Sequence, residues 1–262
     1  MDYVHGYDRR ANKRLQDQAD ALVDLLHSDT RYAEGSLVLE AGCGVGAQTV
    51  TLARNSPGAR ILSIDISAKS LAAAKAKIKA RNVSFQQADV FALPFAREAF
   101  DHVFVCFLLE HLPRPLEALA RLKDVLKPGG SMTVIEGDHG STYFHPDCEA
   151  AYDAIRCQVE LQRAAGGNAN IGRELYPLMQ QAGFPGARVS PRMVYVDSSR
   201  PQLVEGFTKK TFTAMIEGVR EAALKAGMIS AERFDEGIRS LYRTAEADGV
   251  FCYTFFKGVG EK

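Results

Sequence analysis

A glycine-rich turn between an apolar run and a helical pattern constrains this chain most. The segment SLVLEAGCGVGAQTVTLA, residues 36–53, carries alternating glycines at Gly42, Gly44 and Gly46. Glycine adopts positive φ and lets a ligand touch the backbone, so a buried strand, a glycine turn and a helix are typical of a nucleotide-binding first turn. The spacing from Gly42 to Ala47 also satisfies the dinucleotide fingerprint.

Two acidic residues narrow the choice of ligand. Glu40 lies at the end of the first apolar run, where a carboxylate would repel a pyrophosphate and attract a cation. Asp65 follows Gly46 by about 20 residues, where a ribose-binding acid belongs. The loop therefore favours a cationic, phosphate-free nucleotide over a nicotinamide dinucleotide.

Short β-rich runs alternate with helical patterns over the first half of the chain. Ser67 is predicted to cap one helix and Pro115 to open another, which the sequence Lys127-Pro128-Gly129-Gly130 ends. This alternation predicts a parallel α/β sheet. The predicted strands are residues 37–41, 61–65, 83–87, 102–107 and 132–137.

The flanking segments follow a different pattern. Residues 8–27 predict an amphipathic helix that packs on the sheet. Residues 138–185 and 200–247 are mostly helical patterns, and we expect them to form a cap over the carboxyl ends of the strands, where open α/β sheets bind ligands. The alternative is that they are structural additions only. An extended stretch at 187–197 lies between them, and a final strand is predicted at 250–258.

Composition excludes several classes of partner. Thirty-two basic and thirty-two acidic residues cancel, which argues against nucleic acid or an anionic membrane and favours a small neutral partner. The first residues lack the apolar run of a signal peptide, and no later run is long enough to span a bilayer. Five scattered cysteines predict reduced thiols. We therefore expect a cytoplasmic protein.

The ordered motifs resemble those of the class I S-adenosylmethionine-dependent methyltransferases. They are LEAGCGVGA, SIDIS, QQADVFALPF, FDHVFVCFLLEHL and LKPGGSMTVIEG, over about residues 36–137. The chain is most similar to small-molecule methyltransferases of the ubiquinone-biosynthesis type. The Asn-Pro-Pro-Tyr signature of base and amide methylation is absent after the fourth strand, where CFLLEH stands instead.

The resemblance implies a fold and a domain organisation. The fold is an α/β, Rossmann-like, seven-stranded and mostly parallel sheet with helices on both faces, an antiparallel last strand and helical cap insertions. Residues 1–262 would form a single methyltransferase domain. Within it, we expect an N-terminal lid and helix at 1–30, a cofactor-binding core at 36–137, and the cap segments and last strand given above.

The resemblance also implies S-adenosylmethionine as cofactor and S-adenosylhomocysteine as product. Asp65 would bind the ribose hydroxyls and Ile66 would lie against the adenine. Asp89 would contact the adenine amino group, Val90 would pack on the ring, and Cys106 would face the methionine moiety. The full set of predicted cofactor-binding residues is Tyr7, Glu40, Gly42, Gly44, Gln48, Asp65, Ile66, Asp89, Val90 and Cys106.

Methyl transfer from a sulfonium is an in-line displacement, so alignment and exclusion of water do most of the catalysis. A base is needed only for protonated acceptors. His111, just past the fourth strand, and Glu136 and His139, just past the fifth, are the candidate proton acceptors, with His111 first. His111 could instead cap a turn, and Cys106 is more typical of a buried thiol than of a nucleophile. No metal site is predicted.

The opening segment DYVHGYDRR carries two tyrosines, Tyr3 and Tyr7, which we expect to close over the site together with residues 200–247. The alternative is a frayed tail. The leading functional hypothesis is methyl transfer to a small-molecule acceptor. The alternatives are an NAD(P)-dependent oxidoreductase and a catalytically silent S-adenosylmethionine-binding protein. The sequence leaves the acceptor and the oligomeric state open, and a homodimer is compatible with it.

Overall fold

A computed structural model describes residues 21–262 of the chain. The predictions for Tyr3, Tyr7 and the N-terminal lid lie outside these residues. Residues 21–27 are helical and are labelled α1, and they lie within the range predicted to be a helix, 8–27. Leu22 and Leu26 of its predicted apolar stripe are both buried.

The strands within residues 21–262 agree with the predicted alternation. The first four end within one residue of their predicted carboxyl ends, and the fifth is far longer than predicted. They are β1 (Leu37–Ala41), β2 (Arg60–Asp65), β3 (Val83–Gln87), β4 (Phe100–Cys106), β5 (Leu126–His145), β6 (Arg188–Val196) and β7 (Val250–Glu261).

Helices connect these strands, and short 3-10 helices cover Leu109–His111 and Ile171–Glu174. A π-helix, Val204–Thr213, continues α7 into α8. The remaining helices are α2 (Thr49–Asn55), α3 (Ala68–Lys77), α4 (Pro115–Val125), α5 (Glu149–Ala164), α6 (Leu175–Gln181), α7 (Pro201–Leu203), α8 (Ala214–Glu217), α9 (Arg220–Lys225) and α10 (Ala231–Arg243).

The strands form one seven-stranded sheet in the order β3-β2-β1-β4-β5-β7-β6. The pairs from β3 to β5 are parallel. The end of β7 lies beside the start of β5, because Lys262 N donates to Gly130 O at 2.9 Å and Gly129 N donates to Lys262 O at 2.7 Å. This pairing makes β7 antiparallel. The predicted Rossmann-like, mostly parallel α/β sheet with an antiparallel last strand is confirmed.

The chain divides into two compact units. The core unit comprises residues 23–137, 171–192 and 256–262. The insert unit comprises, within the described residues, 21–22, 138–170 and 193–255. The predicted single domain and the placement of the insert as a cap stay predictions.

Two helix starts in the core unit follow the predicted chemistry. Ser67 caps α3, because its hydroxyl accepts a hydrogen bond from Ser70 N at 3.1 Å. Pro115 begins α4, where the missing N–H costs nothing. Leu119 and Leu122 of α4 are fully buried. Leu116, predicted for the same stripe, is instead exposed at 36% of its surface.

The fifth strand differs most from its prediction. The sequence predicts a strand over residues 132–137, followed by a helical segment, whereas β5 continues to His145. Glu136 and His139 therefore lie inside the strand and not just past it. The apolar pattern stops at Asp138, but the antiparallel pairing with β7 supplies the backbone partners for a longer strand.

The insert unit is built around aromatic side chains. The rings of Phe207 and Phe212, both on the π-helix, lie 5.8 Å and 5.5 Å from the ring of Tyr253, and Phe251 lies 4.8 Å from Phe212. All four side chains are buried. The prediction of mostly helical insertions is confirmed for residues 201–243, although the π-helix was not foreseen.

All five cysteines lie within the described residues and are free. Cys43, Cys106, Cys157 and Cys252 are buried, whereas Cys148 is half-exposed. Over residues 21–262, no helix is both long and apolar enough to cross a membrane. The same residues contain no cluster of three or more metal-ligating side chains.

Candidate functional site

The glycine turn joins β1 to α2 at the carboxyl end of the parallel strands. Gly42 N and Cys43 N both donate to Ile64 O at 2.9 Å, which fixes the turn against the end of β2. Gly46 N donates to Cys43 O at 2.8 Å and closes the turn. The loop is therefore held by backbone hydrogen bonds, as a ligand-contacting loop on a rigid sheet should be.

Two of the glycines have different surroundings. Gly46 has φ +80°, and a Cβ there would overlap Ile78 of the segment after α3. Gly44 has φ +52°, but a Cβ there would meet nothing within 4 Å. Gly46 is thus required for close packing as well as conformation, whereas Gly44 faces open space where a ligand can approach the backbone.

Glu40 is the acidic group beneath this loop and is 2% exposed. Its Oε2 accepts hydrogen bonds from Ser63 Oγ at 2.6 Å and Thr49 Oγ1 at 2.7 Å. Burial raises the pKa of Glu40 to about 7, the two hydroxyl donors oppose the rise, and the charge of Asp65 adds to it. The site therefore contains a carboxyl group that changes charge near neutral pH.

Asp65 ends β2 beside the loop. Its Oδ2 accepts from Gly44 N and its Oδ1 from Ser67 N, both at 2.8 Å. The carboxylate braces the glycine turn and the start of α3, while each oxygen keeps a lone pair for a further donor. Ile66, the next residue, is 61% exposed, which is unusual for a large apolar side chain at the end of a buried strand.

Asp89, Val90 and Cys106, which are also predicted to bind the cofactor, follow or end strands at the same edge of the sheet. Asp89 Oδ1 accepts from Phe91 N at 2.9 Å, which shapes the turn after β3. Val90 is 8% exposed and belongs to the apolar core. Cys106 ends β4 and is also 8% exposed. Burial first, and then the charge of Glu136, raises the pKa of the Cys106 thiol, which disfavours a nucleophilic thiolate.

Gln48 follows the glycine turn and directly precedes α2. Its carbonyl oxygen accepts from Thr51 N at 3.0 Å and Leu52 N at 3.1 Å. Its side-chain Oε1 lies 2.8 Å from His27 Nε2. His27 is 1% exposed, and burial lowers its pKa to about 4, so its imidazole is neutral at physiological pH.

Glu136 is fully buried on β5. Its Oε1 accepts from Leu109 N at 2.7 Å and Leu108 N at 3.0 Å, and its Oε2 lies 3.4 Å from Glu110 N. Burial, with the nearby charge of Glu110, raises its pKa well above the usual range, against the three backbone donors. These contacts give Glu136 a structural part in closing the turn after β4. Its catalytic role stays a prediction.

His111 ends the 3-10 helix that Glu136 holds. Its Nε2 lies 3.4 Å from Glu110 Oε1, and its side chain is 16% exposed. The structure thus brings His111 and Glu110, just past β4, together with Glu136 in the interior of β5. A histidine beside a carboxylate is suited to accept a proton, and the assignment of His111 as the first candidate base stays a prediction.

His139 belongs to the insert unit. Its Nδ1 lies 3.0 Å from the Tyr253 hydroxyl, and its ring lies 6.1 Å from that of Phe212. The side chain is buried among aromatic residues. Its place in the interior of β5 gives it a packing role in that unit, and its catalytic role stays a prediction.

The groups that hold the site residues, such as Ser63 and His27, have no distinctive local pattern in the sequence. Ser63 and Glu40 face each other in the parallel register of β1 and β2. Once that register is known, the serine hydroxyl opposite the buried carboxyl group of Glu40 predicts a hydrogen bond between the two side chains. His27 left no comparable signal, because its bond to Gln48 joins residues 21 positions apart.

A sheet of this order with a glycine turn after β1 defines a nucleotide-binding α/β protein. Residues 39–134 match the methyltransferase domain family. The demethylmenaquinone methyltransferase of Staphylococcus aureus strain JH9 is 32% identical over 191 residues, which cover 71% of this chain and 77% of the relative. The chain belongs to the class I S-adenosylmethionine-dependent methyltransferases.

Other relatives share shorter stretches. The Lactococcus lactis demethylmenaquinone methyltransferase is 35% identical over 124 residues, which cover 44% of this chain and 49% of the relative. The chain thus spans about half the length of several curated relatives that it matches.

Solved structures share the fold at low identity. A putative methyltransferase from Bacillus halodurans is 17% identical, with a TM-score of 0.57 over 92% of this chain and 98% of the other. Phosphoethanolamine N-methyltransferase 2 from Haemonchus contortus is 19% identical, with a TM-score of 0.56 over 94% of this chain and 53% of the other.

Proposed function

We propose that this protein transfers a methyl group from S-adenosylmethionine to a small-molecule acceptor. The observation that carries the proposal is the loop after β1, where Gly44 opens onto free space and donates to Asp65, while the buried Glu40 lies on the strand that leads into the loop. Family membership supports it. The demethylmenaquinone methyltransferases among the relatives support a small organic acceptor in place of a nucleic acid.

The residues present fit this cofactor. Glu40 is an acidic group buried next to the loop, suited to an ammonium, and no phosphate is present to be repelled. Asp65 keeps one lone pair on each oxygen for ribose hydroxyls. The exposed Ile66 offers an apolar surface to a planar base. When bound, the cofactor supplies an activated methyl group on sulfur.

The chain's own residues would then bind the cofactor, orient the acceptor and exclude water. We expect Asp65, Asp89 and Gly44 to hold the nucleoside and Cys106, at the end of β4, to face the methionine moiety. Alignment of donor and acceptor accounts for most of the acceleration. His111, beside Glu110, is placed to accept a proton from an acceptor that must lose one. Glu136 and His139 are the secondary candidates.

Calorimetry with S-adenosylhomocysteine, S-adenosylmethionine and NADH tests the cofactor assignment. We expect micromolar binding of the first two and none of NADH. Comparable binding of NADH would favour the oxidoreductase alternative. Incubation of the protein with a metabolite extract and methyl-labelled S-adenosylmethionine then identifies the acceptor. Tight cofactor binding with no labelled compound from any extract would favour the catalytically silent alternative.

Three further assignments belong to this proposal. A formal net charge of zero supports an acceptor that is neither nucleic acid nor a membrane surface. Free thiols at all five cysteines support a cytoplasmic location. A homodimer is the assembly we would test first, by light scattering with and without S-adenosylhomocysteine.

A further inference from the structure

The contact between His27 and Gln48 joins a buried histidine to the cofactor loop. His27 is the last residue of α1, and Gln48 lies two residues beyond Gly46. The distance of 2.8 Å between His27 Nε2 and Gln48 Oε1 is that of a well-formed hydrogen bond. What we infer from this bond deepens the function proposed above and rests on it.

The position of the imidazole proton follows from what surrounds the ring. Within the described part of the chain, His27 Nδ1 is buried and has no hydrogen-bond partner. A buried N–H without an acceptor costs more than a bare acceptor nitrogen. The proton therefore belongs on Nε2, from which it is donated to Gln48 Oε1. The low pKa of His27 keeps the ring neutral and leaves this single donor.

This tautomer fixes the orientation of the Gln48 amide. The backbone of Gln48 is held by α2, because its carbonyl accepts from Thr51 N and Leu52 N. The side-chain oxygen is held by His27. The amide nitrogen, with two N–H donors, is the polar group of Gln48 that remains to face a ligand in the half-exposed loop.

We propose that His27 is a positioning residue that aims the amide donors of Gln48 at the carboxylate of the cofactor's amino-acid end. That carboxylate is the only anionic group of S-adenosylmethionine, and amide N–H donors are suited to it. Glu40, on the same strand end, is suited to the ammonium of the same moiety. His27 thereby makes the site selective for ligands that carry an amino-acid end.

The α1 to β1 corner is built to hold His27 still. Asn55, at the end of α2, donates from Nδ2 to His27 O at 3.2 Å and to Thr30 O at 3.3 Å. The His27 ring lies 5.7 Å from that of Phe104. Both ends of α2 are thus tied to the same corner, one through Gln48 and the other through Asn55.

The test compares two ligands that differ only at the amino-acid end. S-adenosylhomocysteine carries the carboxylate and ammonium, whereas 5′-methylthioadenosine lacks both. In His27→Phe, the ring still packs on Phe104 but donates nothing to Gln48. We expect S-adenosylhomocysteine to bind about three- to tenfold more weakly, the effect of one hydrogen bond, and methylthioadenosine to bind as in wild type.

Three further variants separate positioning from structure. His27→Gln places an amide donor near the position of Nε2 and should restore most of the lost affinity. Gln48→Leu, at a half-exposed position that tolerates change, should weaken S-adenosylhomocysteine to the same extent, and adding His27→Phe should then have no further effect. His102→Phe is the control: it alters a half-buried histidine on β4, whose Nδ1 lies 2.8 Å from Ser131 Oγ, and should change neither affinity.

The outcomes are distinguishable. Equal weakening of both ligands, or additive effects of His27→Phe and Gln48→Leu, would overturn the positioning role while leaving the proposed function intact. If the wild-type protein binds no S-adenosylhomocysteine, the proposed function fails and this inference fails with it. If His27→Phe does not fold, Gln48→Leu decides alone, because unchanged selectivity in that variant removes the basis of the proposal.

Discussion

Two buried carboxyl groups of the sheet, one on β1 and one on β5, are held differently. Glu40, on β1, accepts from the side-chain hydroxyls of Thr49 and Ser63. Glu136, on β5, accepts from consecutive backbone amides after β4. Burial raises the pKa of both. Although both carboxyl groups are buried, the fold depends more on Glu136 than on Glu40.

The difference lies in what is left behind when the carboxyl group is removed. A hydroxyl can rotate to a new partner, whereas a backbone N–H has a fixed direction. The turn after β4 consequently depends on Glu136, whereas the region around Glu40 can adapt.

The largest effect is expected for Glu136→Ala. Removing the carboxyl group takes the acceptor from the partly buried amide of Leu108 and the buried amide of Leu109, at about 1 to 3 kcal/mol each. We expect the free energy of unfolding, measured in urea, to fall by about 2 to 6 kcal/mol. Glu136→Gln keeps one acceptor oxygen and should lose less. Unchanged stability with methyl transfer abolished would instead support the catalytic role predicted for Glu136.

The next effect concerns the pH dependence of Glu40. Its pKa is raised from 4.5 to about 7 in the folded protein, so the folded state binds this proton more tightly than the unfolded state. The stabilisation is fully present below pH 4.5 and is lost as pH rises to about 7. It amounts to about 3 kcal/mol over that window.

Urea unfolding at pH 5 and pH 8 measures this contribution when wild type is compared with Glu40→Gln. The variant keeps the side-chain volume and one acceptor oxygen but cannot ionise. Its free energy of unfolding should therefore fall less between pH 5 and pH 8 than that of the wild type. Identical pH dependence in the two proteins would show that Glu40 keeps an ordinary pKa.

A smaller effect is expected for Asp65→Ala, at about 1 to 3 kcal/mol in the binding of S-adenosylhomocysteine. The carboxylate serves the ligand and also braces Gly44, so we expect some loss of stability as well. Asp101→Ala is the matched control, because Asp101 also accepts from a backbone amide, Leu37 N at 2.8 Å, at the opposite end of the strands. A fall in stability without a change in affinity would make Asp65 a structural acid only.

The smallest effect is expected for Thr49→Val, which removes one of the two hydroxyl donors to Glu40 and conserves shape. The loss of one hydrogen bond costs about 1 kcal/mol. Because that donor lowers the pKa of Glu40, we expect its titration to move to higher pH. A titration of the carboxyl signal by NMR measures the shift. A downward shift would contradict the hydrogen-bond assignment.

Local sequence patterns were sufficient for the parallel part of the fold. β1 and β3 have the predicted bounds, because short apolar runs between turn residues have few alternatives. β5 could not be predicted beyond Gly137, since its second half is polar and exists through pairing with β7, a partner more than a hundred residues away in the chain. The π-helix likewise had no distinctive pattern.

The candidate site likewise has a part that local sequence patterns predict and a part that they do not. The grouping of Glu40, Gly44 and Asp65 around the turn after β1 could be predicted from the fixed spacing of that turn, and their contacts with the cofactor stay predictions. The catalytic candidates could not be ranked, since methyl transfer needs alignment more than a particular side chain. The bond from His27 to Gln48 depends on how α1 meets α2, which no local pattern encodes.

The distribution of the cysteines has a practical consequence for labelling. Cys43, Cys106, Cys157 and Cys252 are buried, so a maleimide reaches them only on unfolding, whereas Cys148 is half-exposed immediately before α5. The native protein therefore offers one preferred thiol for a fluorophore, without any substitution. A dye at Cys148 would report on the insert unit. The slow labelling rate of the other four thiols would measure how often the protein unfolds.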